Sequence, residues 1–167
     1  MKYELISHQR GKKMKVIAFD FQGTLADHSN PPQLFSGVKQ VLDILKDKCI
    51  LIVISEGRDI DNLDKLLMNL KIKQYFKHII HLKGTSLRKA DGSAFLDLIR
   101  KLDIQPLDLI VVGDVPASDI RGAKLIGAMG IRIRSGKYTS LEALTDIEKA
   151  DYEIYNMMDL LKILSLN

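Results

Sequence analysis

The sequence VIAFDFQGTL, residues 16–25, passes directly from an unbroken apolar run into a polar turn. Unbroken apolar runs also occupy residues 50–54 and 109–112, and residues 78–82 and 129–133 are further strand candidates. An apolar run that does not alternate with polar residues is typical of a strand buried on both faces of a parallel sheet. These five segments are therefore predicted to be strands of one central sheet.

The segments between these strands carry apolar residues at spacings of three and four, the pattern of amphipathic helices. The spaced residues fall in three groups: Val38, Val41, Leu42 and Leu45; Ile60, Leu63, Leu66, Leu67 and Leu70; Phe95, Leu98, Ile99 and Leu102. Residues 119–127 and 160–164 are predicted to form two further helices. Alternating strands and helices predict an α/β fold, a doubly wound, Rossmann-like, three-layer sandwich with a mainly parallel central sheet.

The 167 residues are 46% hydrophobic and 28% charged, the composition of a soluble globular protein of single-domain size. We expect one domain over residues 1–167, with a basic N-terminal arm at residues 1–13, because the sequence has no internal repeat or Gly/Ser linker. No apolar run approaches the ~20 residues that a membrane helix needs, and the first residues lack the apolar middle of a secretory signal. Together with a single cysteine, Cys49, this pattern predicts a cytoplasmic protein with no membrane partner.

The net charge of +4 is compatible with binding either nucleic acid or small anions. The excess of Lys and Arg is concentrated in the N-terminal arm, and no aromatic-rich basic groove or nucleic-acid motif accompanies it. A solvated basic surface is the better interpretation, and nucleic acid is not an expected partner.

Polar side chains follow the predicted strands at the points where these strands end. Asp20 follows the first strand, Ser55 the second, and Asp114 and Asp119 the fourth, while Lys89 precedes the helix that leads into the fourth. An isolated aspartate at such a point commonly caps a turn. Two aspartates at adjacent strand ends would repel each other unless a cation lay between them, and Ser55 and Lys89 could hold phosphate oxygens. The set therefore predicts a metal and phosphate site at the carboxyl ends of the strands.

Four motifs carry a resemblance to a known family: VIAFDFQGTL (16–25), IVISEGR (52–58), RKADGSAF (88–95) and VVGDVPASDIRGAK (111–124). They resemble the haloacid dehalogenase-like (HAD) superfamily, whose members carry an aspartate nucleophile, a Ser or Thr, a Lys and a terminal acidic pair in this order. The resemblance covers nearly the whole chain after Lys15. The last motif is the strongest, because family members often read GDSxxxDIRGAK there.

This resemblance implies a magnesium-dependent phosphohydrolase in which Asp20 attacks phosphorus and forms an aspartyl-phosphate. The implied Mg²⁺ ligands are the Asp20 carboxylate, the Gln22 backbone carbonyl and Asp114, with Asp119 supporting this shell directly or through Lys89. The implied catalytic set is Asp20, Gln22, Ser55 and Lys89.

The phosphoryl group would be bound by Ser55, Lys89 and the backbone amides around residues 21–23. The implied substrate-binding residues are Phe21, Gly23, Thr24, Glu56, Gly57 and Arg58. Arg58 could reach the rest of an anionic substrate, or it could pair at the surface with Glu56 or Asp59.

The sequence departs from the family pattern at Gln22, where most phosphatases of the superfamily have a second aspartate that acts as general acid and base. An amide cannot shuttle a proton near neutral pH, and such help is typically worth ~10²–10⁴-fold in rate. The backbone carbonyl that would bind Mg²⁺ is retained. We therefore expect phosphoryl capture and metal binding to survive, with turnover favouring good leaving groups.

The short distance from Asp27 to the predicted helix start at residues 36–38 leaves no room for the cap domain of other members. Capless members commonly act on larger substrates or cover the site with a neighbouring subunit, so a phosphorylated small molecule, a phosphorylated macromolecule and a homo-oligomer all stay open.

The main alternative function is a HAD-fold binding or regulatory module that has lost its general acid. A receiver-like signalling domain is disfavoured because its acceptor aspartate would follow a middle strand. A P-loop enzyme is excluded because residues 135–139, SGKYT, lack an upstream glycine at the required spacing.

Overall fold

The computed structural model describes residues 14–57 and 60–166. The predicted basic arm and Arg58 lie outside the described residues. The described residues form six strands: β1 Val16–Phe19, β2 Ile50–Ser55, β3 His78–His81, β4 Leu109–Gly113, β5 Met129–Ile133 and β6 Tyr152–Ile154. All neighbouring strands pair in parallel, in the order β3-β2-β1-β4-β5-β6. The predicted doubly wound α/β fold is confirmed, and β6 is an additional edge strand that the sequence interpretation missed.

The described residues form five α-helices: α1 Val38–Leu45, α2 Leu63–Asn69, α3 Ser93–Leu102 and α4 Arg121–Leu125 connect β1 to β5, and α5 Asp159–Ile163 follows β6. A π-helical turn, Pro116–Ile120, leads directly into α4. Short 3-10 turns occupy Lys73–Tyr75, Pro106–Asp108, Gly136–Tyr138 and Asp146–Glu148.

Two helix boundaries differ from the sequence prediction. Ile60 precedes α2, because Asn62 ends the loop and its side chain accepts a hydrogen bond from the Lys65 N–H at 2.8 Å. The helix predicted over residues 119–127 begins earlier, at Pro116, and its α-helical part ends at Leu125. Proline is well suited to a first helical position, since its missing N–H would be unpaired there.

The two faces of the sheet carry separate apolar cores. Ile17 and Phe19 point from β1 into the core formed with α1, α2 and α5. Val16 and Ala18 point the other way, into the core formed with α3 and α4. Each fully buried Val, Leu, Ile or Phe contributes about 1.5–3 kcal/mol to folding. The central strands β1 and β4 are therefore buried on both faces, whereas the edge strands β3 and β6 are partly exposed.

The carboxyl ends of β1 and β4 meet at the middle of the sheet. Phe19 is in register with Val112, and the Asp20 N–H donates to the Val112 carbonyl oxygen at 2.9 Å. The strand order reverses direction between β1 and β4, which is where open α/β sheets form their ligand crevice. Asp20 and Asp114 thus follow neighbouring strands at that crevice.

Residues 20–37 connect β1 directly to α1 as a compact loop. Ala26 bridges to both Gln22 and Leu34, and the Phe35 N–H donates to the Leu25 carbonyl oxygen at 3.1 Å. The described part of this connection contains no cap domain. In residues 14–57 and 60–166, no helix has the length and apolar character required to cross a bilayer.

Gly122 fixes how closely α4 approaches the segment that carries Lys89. A Cβ added at Gly122 would lie 1.8 Å from the Lys89 carbonyl oxygen and 2.9 Å from the Phe95 ring. The nearest atom belongs to backbone, so the contact cannot be relieved by a side-chain rotation alone.

Gly122→Ala is expected to lower the free energy of unfolding by about 1–3 kcal/mol, because overpacking displaces α4 or the Lys89 backbone. Urea unfolding followed by circular dichroism measures the change. Gly130→Ala is the matched control, since its added Cβ would lie 3.3 Å from the nearest atom, a methyl group of Ile120. Equal stability losses in the two variants would contradict the close-packing argument.

Candidate active site

A buried ion-pair cluster lies at the crevice between β1 and β4. The Lys89 ammonium donates hydrogen bonds to Asp20 Oδ1 and to Asp119 Oδ1, the latter at 2.9 Å. All three residues are buried. The predicted nucleophile and the predicted lysine are therefore in direct contact, although 69 positions separate them in the chain.

Asp114 completes the cluster without a partner of its own. It is 1% exposed, and neither of its carboxylate oxygens has a hydrogen-bond partner among the described residues. One oxygen from each of Asp20, Asp114 and Asp119 lies within 4.8 Å of the others. With all groups ionised, three carboxylates face one ammonium and leave two negative charges uncompensated, a costly arrangement in a buried site.

The shifted pKa values in this cluster have identifiable causes. Burial raises the pKa of Asp114 from 3.8 to about 8, and the charges of Asp20 and Asp119 add to the rise. Burial also raises the pKa of Asp20 to about 6, against the opposing effect of the Lys89 charge. Burial alone would lower the pKa of Lys89, but Asp119 and Asp20 together raise it above its ordinary value. Lys89 therefore stays protonated, while Asp114 takes up a proton easily when no cation is present.

The cluster fits a divalent cation such as Mg²⁺. Its unpaired donors are carboxylate oxygens, which hard cations prefer, and the two uncompensated charges match the charge of the ion. Asp20 and Asp114 can offer such oxygens. Asp119 has both oxygens engaged, since Oδ2 accepts from the Val115 N–H at 3.1 Å while Oδ1 binds Lys89. Of the two roles expected for Asp119, these bonds favour support through Lys89.

Two glycines allow the carboxylates to approach the backbone this closely. Gly23 has φ +89°, and a Cβ there would lie 2.0 Å from Asp114 Oδ2. A Cβ at Gly113 would lie 2.2 Å from Asp119 Cγ. Side chains at these positions would occupy the space of the acidic cluster, which gives a packing reason for glycine next to both aspartate motifs.

The loop after β2 brings Ser55 to the same end of the sheet. The Ser55 hydroxyl accepts a hydrogen bond from the Gly57 N–H at 3.1 Å, so its own proton is available for a ligand. The Gly57 carbonyl oxygen accepts from His81 Nε2 at 3.0 Å, which ties this loop to β3. A Cβ at Gly57 would lie 3.0 Å from Gln22 Oε1, so the Gln22 amide packs against this loop.

Four predicted substrate-binding residues are engaged with the backbone or buried in the core and present no side chain to a ligand. Glu56 Oε1 accepts from the Lys89 N–H at 2.7 Å, so Glu56 holds the lysine segment in place. The Gly23 N–H donates to the Ala26 carbonyl oxygen at 2.7 Å and is not available to phosphate. The Phe21 side chain is fully buried in the core. Thr24 is also fully buried, and its hydroxyl oxygen has no partner among the described residues.

Ser135, which sequence reasoning did not assign to the site, joins the loop after β5 to the loop after β1. Its hydroxyl donates to the Gly23 carbonyl oxygen at 2.7 Å across 112 positions of sequence. Its position in the sequence could have indicated this role. Ser135 follows the strand that ends at Ile133, and polar residues at the ends of parallel strands converge on one crevice.

Gln22 lies on the wall of an open cleft of about 810 Å³. A second hollow of about 600 Å³ includes Glu56, Thr85 and Arg88 on its wall. Gln22, two positions after Asp20, therefore borders a cavity that is large enough for a small molecule.

Comparison with known proteins agrees with this geometry. A family model described as haloacid dehalogenase-like hydrolase matches residues 29–127, a range that includes Lys89, Asp114 and Asp119 but begins after Asp20. Glyceraldehyde 3-phosphate phosphatases of Pyrococcus furiosus and Methanopyrus kandleri are each 30% identical, over 75% and 66% of this chain. These matches cover 52% and 47% of the two relatives, so the chain spans about half of their length.

A solved structure of a predicted phosphoglycolate phosphatase from Haemophilus somnus has the same fold. It superimposes with a TM-score of 0.78 at 17% identity, over 92% of this chain and 99% of the other. Since the family model matches more than half of the residues, this chain belongs to the haloacid dehalogenase-like hydrolase family.

Proposed function

We propose that this chain is a magnesium-dependent phosphohydrolase that acts through an aspartyl-phosphate on Asp20. The observation that carries the proposal is the buried Lys89–Asp20 contact beside Asp114, whose carboxylate oxygens have no protein partner. Membership of a hydrolase family and relatives named as phosphatases support the same reaction class. A module that only binds phosphate has no need of a buried nucleophile held against a protonated lysine.

In the proposed reaction the Asp20 carboxylate attacks phosphorus, and the bond from phosphorus to the leaving oxygen breaks. The leaving group departs with the bonding electrons and takes a proton from solvent water. Water then attacks phosphorus of the aspartyl-phosphate and gives up a proton to solvent, the bond from phosphorus to Asp20 breaks, and inorganic phosphate and the free Asp20 carboxylate are released. When bound, Mg²⁺ would neutralise charge on the phosphoryl oxygens and on Asp20 and Asp114.

Lys89 and Ser55 have separate parts in this scheme. The Lys89 ammonium fixes the Asp20 carboxylate and can offer its charge to a phosphoryl oxygen. The Ser55 hydroxyl, whose oxygen already accepts from the Gly57 N–H, donates its proton to a second phosphoryl oxygen. The backbone amides of residues 21 and 22 complete the cradle, because the Gly23 N–H is bonded within its own loop.

Gln22 sets the expected substrate range. Its side chain cannot protonate a leaving alkoxide, so substrates with stable leaving groups, such as aryl phosphates, acyl phosphates and phosphoanhydrides, should react best. The relatives named as glyceraldehyde 3-phosphate phosphatases make a phosphorylated small molecule the first candidate substrate. A phosphorylated macromolecule or a neighbouring subunit that covers the open site would be the alternatives to test.

The second candidate function is a phosphate-binding or regulatory module that has lost turnover. One observation favours it, namely that an amide occupies the position of the general acid and base. The two functions differ in a measurable way, since a binding module would hold phosphate and metal without releasing a product.

Asp20→Asn should lower hydrolysis of para-nitrophenyl phosphate in Mg²⁺ by about 10³-fold or more, because the nucleophile is removed. Nitrophenolate release measures the rate, and thermal unfolding checks that the variant is folded. Asp47→Asn is the matched control, since Asp47 is exposed and outside the cluster. If the wild type binds Mg²⁺ but releases no product from any aryl or acyl phosphate, the binding-module function is favoured.

Gln22→Asp should raise the turnover of alkyl phosphates by at least about 10-fold, because a carboxylic acid can protonate the leaving oxygen. Aryl phosphates should gain much less, since their leaving groups need little protonation. Gln22→Asn is the matched control, because asparagine has the shape of aspartate without the proton. Equal rates for the Asp and Asn variants would mean that Gln22 does not stand in for a lost acid.

The metal-free protein should become less stable as pH rises from about 4 to about 8. The folded protein retains protons on Asp114, whose pKa is raised to about 8, and on Asp20, whose pKa is raised to about 6. The unfolded chain loses these protons near pH 4, so deprotonation disfavours the folded state. Thermal unfolding across this pH range measures the trend.

Mg²⁺ should reverse this loss, by about 2.7 kcal/mol at a concentration 100 times its dissociation constant. Asp114→Asn should weaken both the pH dependence and the stabilisation by Mg²⁺, with Asp47→Asn as the control. Full stabilisation of Asp114→Asn by Mg²⁺ would show that the metal binds elsewhere.

A further inference from the structure

The cleft beside Gln22 has the size of a small-molecule site. Its volume of about 810 Å³ lies within the ~300–1,000 Å³ typical of ligand pockets. Two segments contribute to its walls: residues 28–30 and 32, in the loop after β1, and residues 60–62 together with one face of α2, formed by Lys65, Leu66 and Asn69. Lys137, from the loop after β5, also lines the cleft.

Lys137 is held close to the predicted phosphoryl site by its neighbours in the chain. Ser135 donates to the Gly23 carbonyl oxygen at 2.7 Å, and a Cβ at Gly136 would lie 3.4 Å from the Gly23 Cα. The backbone that carries Lys137 is thus packed on the loop that carries Gln22. The Lys137 ammonium lies 5.4 Å from the centroid of the Tyr138 ring, a weak cation–π contact that leaves its charge available.

Lys65 reaches the same cleft from α2. Its backbone N–H is bonded to the capping side chain of Asn62 at 2.8 Å, which fixes the first turn of the helix. The backbones of Lys65 and Lys137 are both held in place by hydrogen bonds or packing nearby. Both lysines line the cleft next to Gln22.

The positive charge of this cleft has no internal counter-charge among the residues that the structure describes. The one carboxylate on the described wall, Asp61, is paired with Lys83 at 3.0 Å. Neither Lys65 nor Lys137 forms an ion pair with a carboxylate in residues 14–57 and 60–166. The other polar groups nearby include Asn30 and Asn69, which are uncharged hydrogen-bonding amides. The cleft is thus suited to an anion.

From this arrangement we infer that Lys65 and Lys137 bind a second anionic group of the substrate, on the leaving-group side of the transferred phosphoryl. The substrate class is a small phosphorylated molecule whose other part carries a carboxylate or a second phosphate. This inference rests on the proposed function, because it assigns the phosphoryl group itself to the Asp20 cluster. Lys65 and Lys137 determine specificity and take no part in bond breaking.

Non-hydrolysable phosphonates test the inference without requiring turnover. Isothermal titration calorimetry in Mg²⁺ would compare phenylphosphonate with 4-carboxyphenylphosphonate and 1,4-phenylenediphosphonate. The two compounds with a second anion should bind about 3- to 10-fold more tightly, as expected for two partly exposed charge pairs. The tighter of the two identifies the second anion as carboxylate or phosphate.

The double variant Lys65→Gln/Lys137→Gln should lose this preference while still binding phenylphosphonate, and Lys65→Glu/Lys137→Glu should reverse it. Lys101→Gln is the matched control, because Lys101 is on α3, which packs on the opposite face of the sheet, and pairs with Asp97 at 2.7 Å. The control should keep the wild-type preference.

Equal binding of the three phosphonates by the wild type, or an unchanged preference in the double glutamine variant, would overturn the inference. Absence of binding by all three would overturn it as well, and would point to a macromolecular substrate. The proposed function is judged separately, by hydrolysis of para-nitrophenyl phosphate and its loss in Asp20→Asn. A wild type that hydrolyses this ester without a second-anion preference retains the proposed function and loses only the inference.

Discussion

The buried ammonium of Lys89, shared between Asp20 and Asp119, is the interaction on which the rest of the site depends. Burying a charged group without enough partners costs several kcal/mol. The fold must therefore hold Lys89, Asp20 and Asp119 in fixed positions. The contact leaves Asp114 unpaired and two negative charges uncompensated. A bound divalent cation would neutralise these two charges, so in the proposed function metal binding would also stabilise the fold.

Backbone packing supplies the rigidity that this cluster requires. Glu56 binds the Lys89 N–H, while Gly122 lets α4 approach the Lys89 carbonyl oxygen. Gly23 gives the Asp114 carboxylate room at the end of β4. Each of these contacts positions a side chain of the acidic cluster without belonging to the cluster itself. Preorganisation of this kind keeps the charges oriented before a ligand arrives.

The glutamine at position 22 separates two properties that usually occur together in such sites. In the proposed function, binding of phosphate and metal depends on Ser55, Lys89, Asp20 and Asp114, all of which are present, whereas proton transfer to a leaving group would depend on a side chain that the amide replaces. The Gln22 side chain packs against the Gly57 loop and faces a cleft with two unpaired lysines. In the proposed function, the leaving group would therefore be selected by its own stability and by the positive charge of the cleft.

Local signals, namely apolar runs and helical spacing, predicted five of the six strands that the structure describes. The sequence also predicted, from polar residues at strand ends and from the family resemblance, a site that includes Asp20, Ser55, Lys89 and Asp114. It missed β6, whose three residues pair only with β5, and it could not choose between two roles for Asp119. The Glu56–Lys89 and Ser135–Gly23 contacts also needed the tertiary structure. They join positions that are 33 and 112 residues apart, and no local pattern encodes which distant atoms the packed sheet brings within hydrogen-bonding distance.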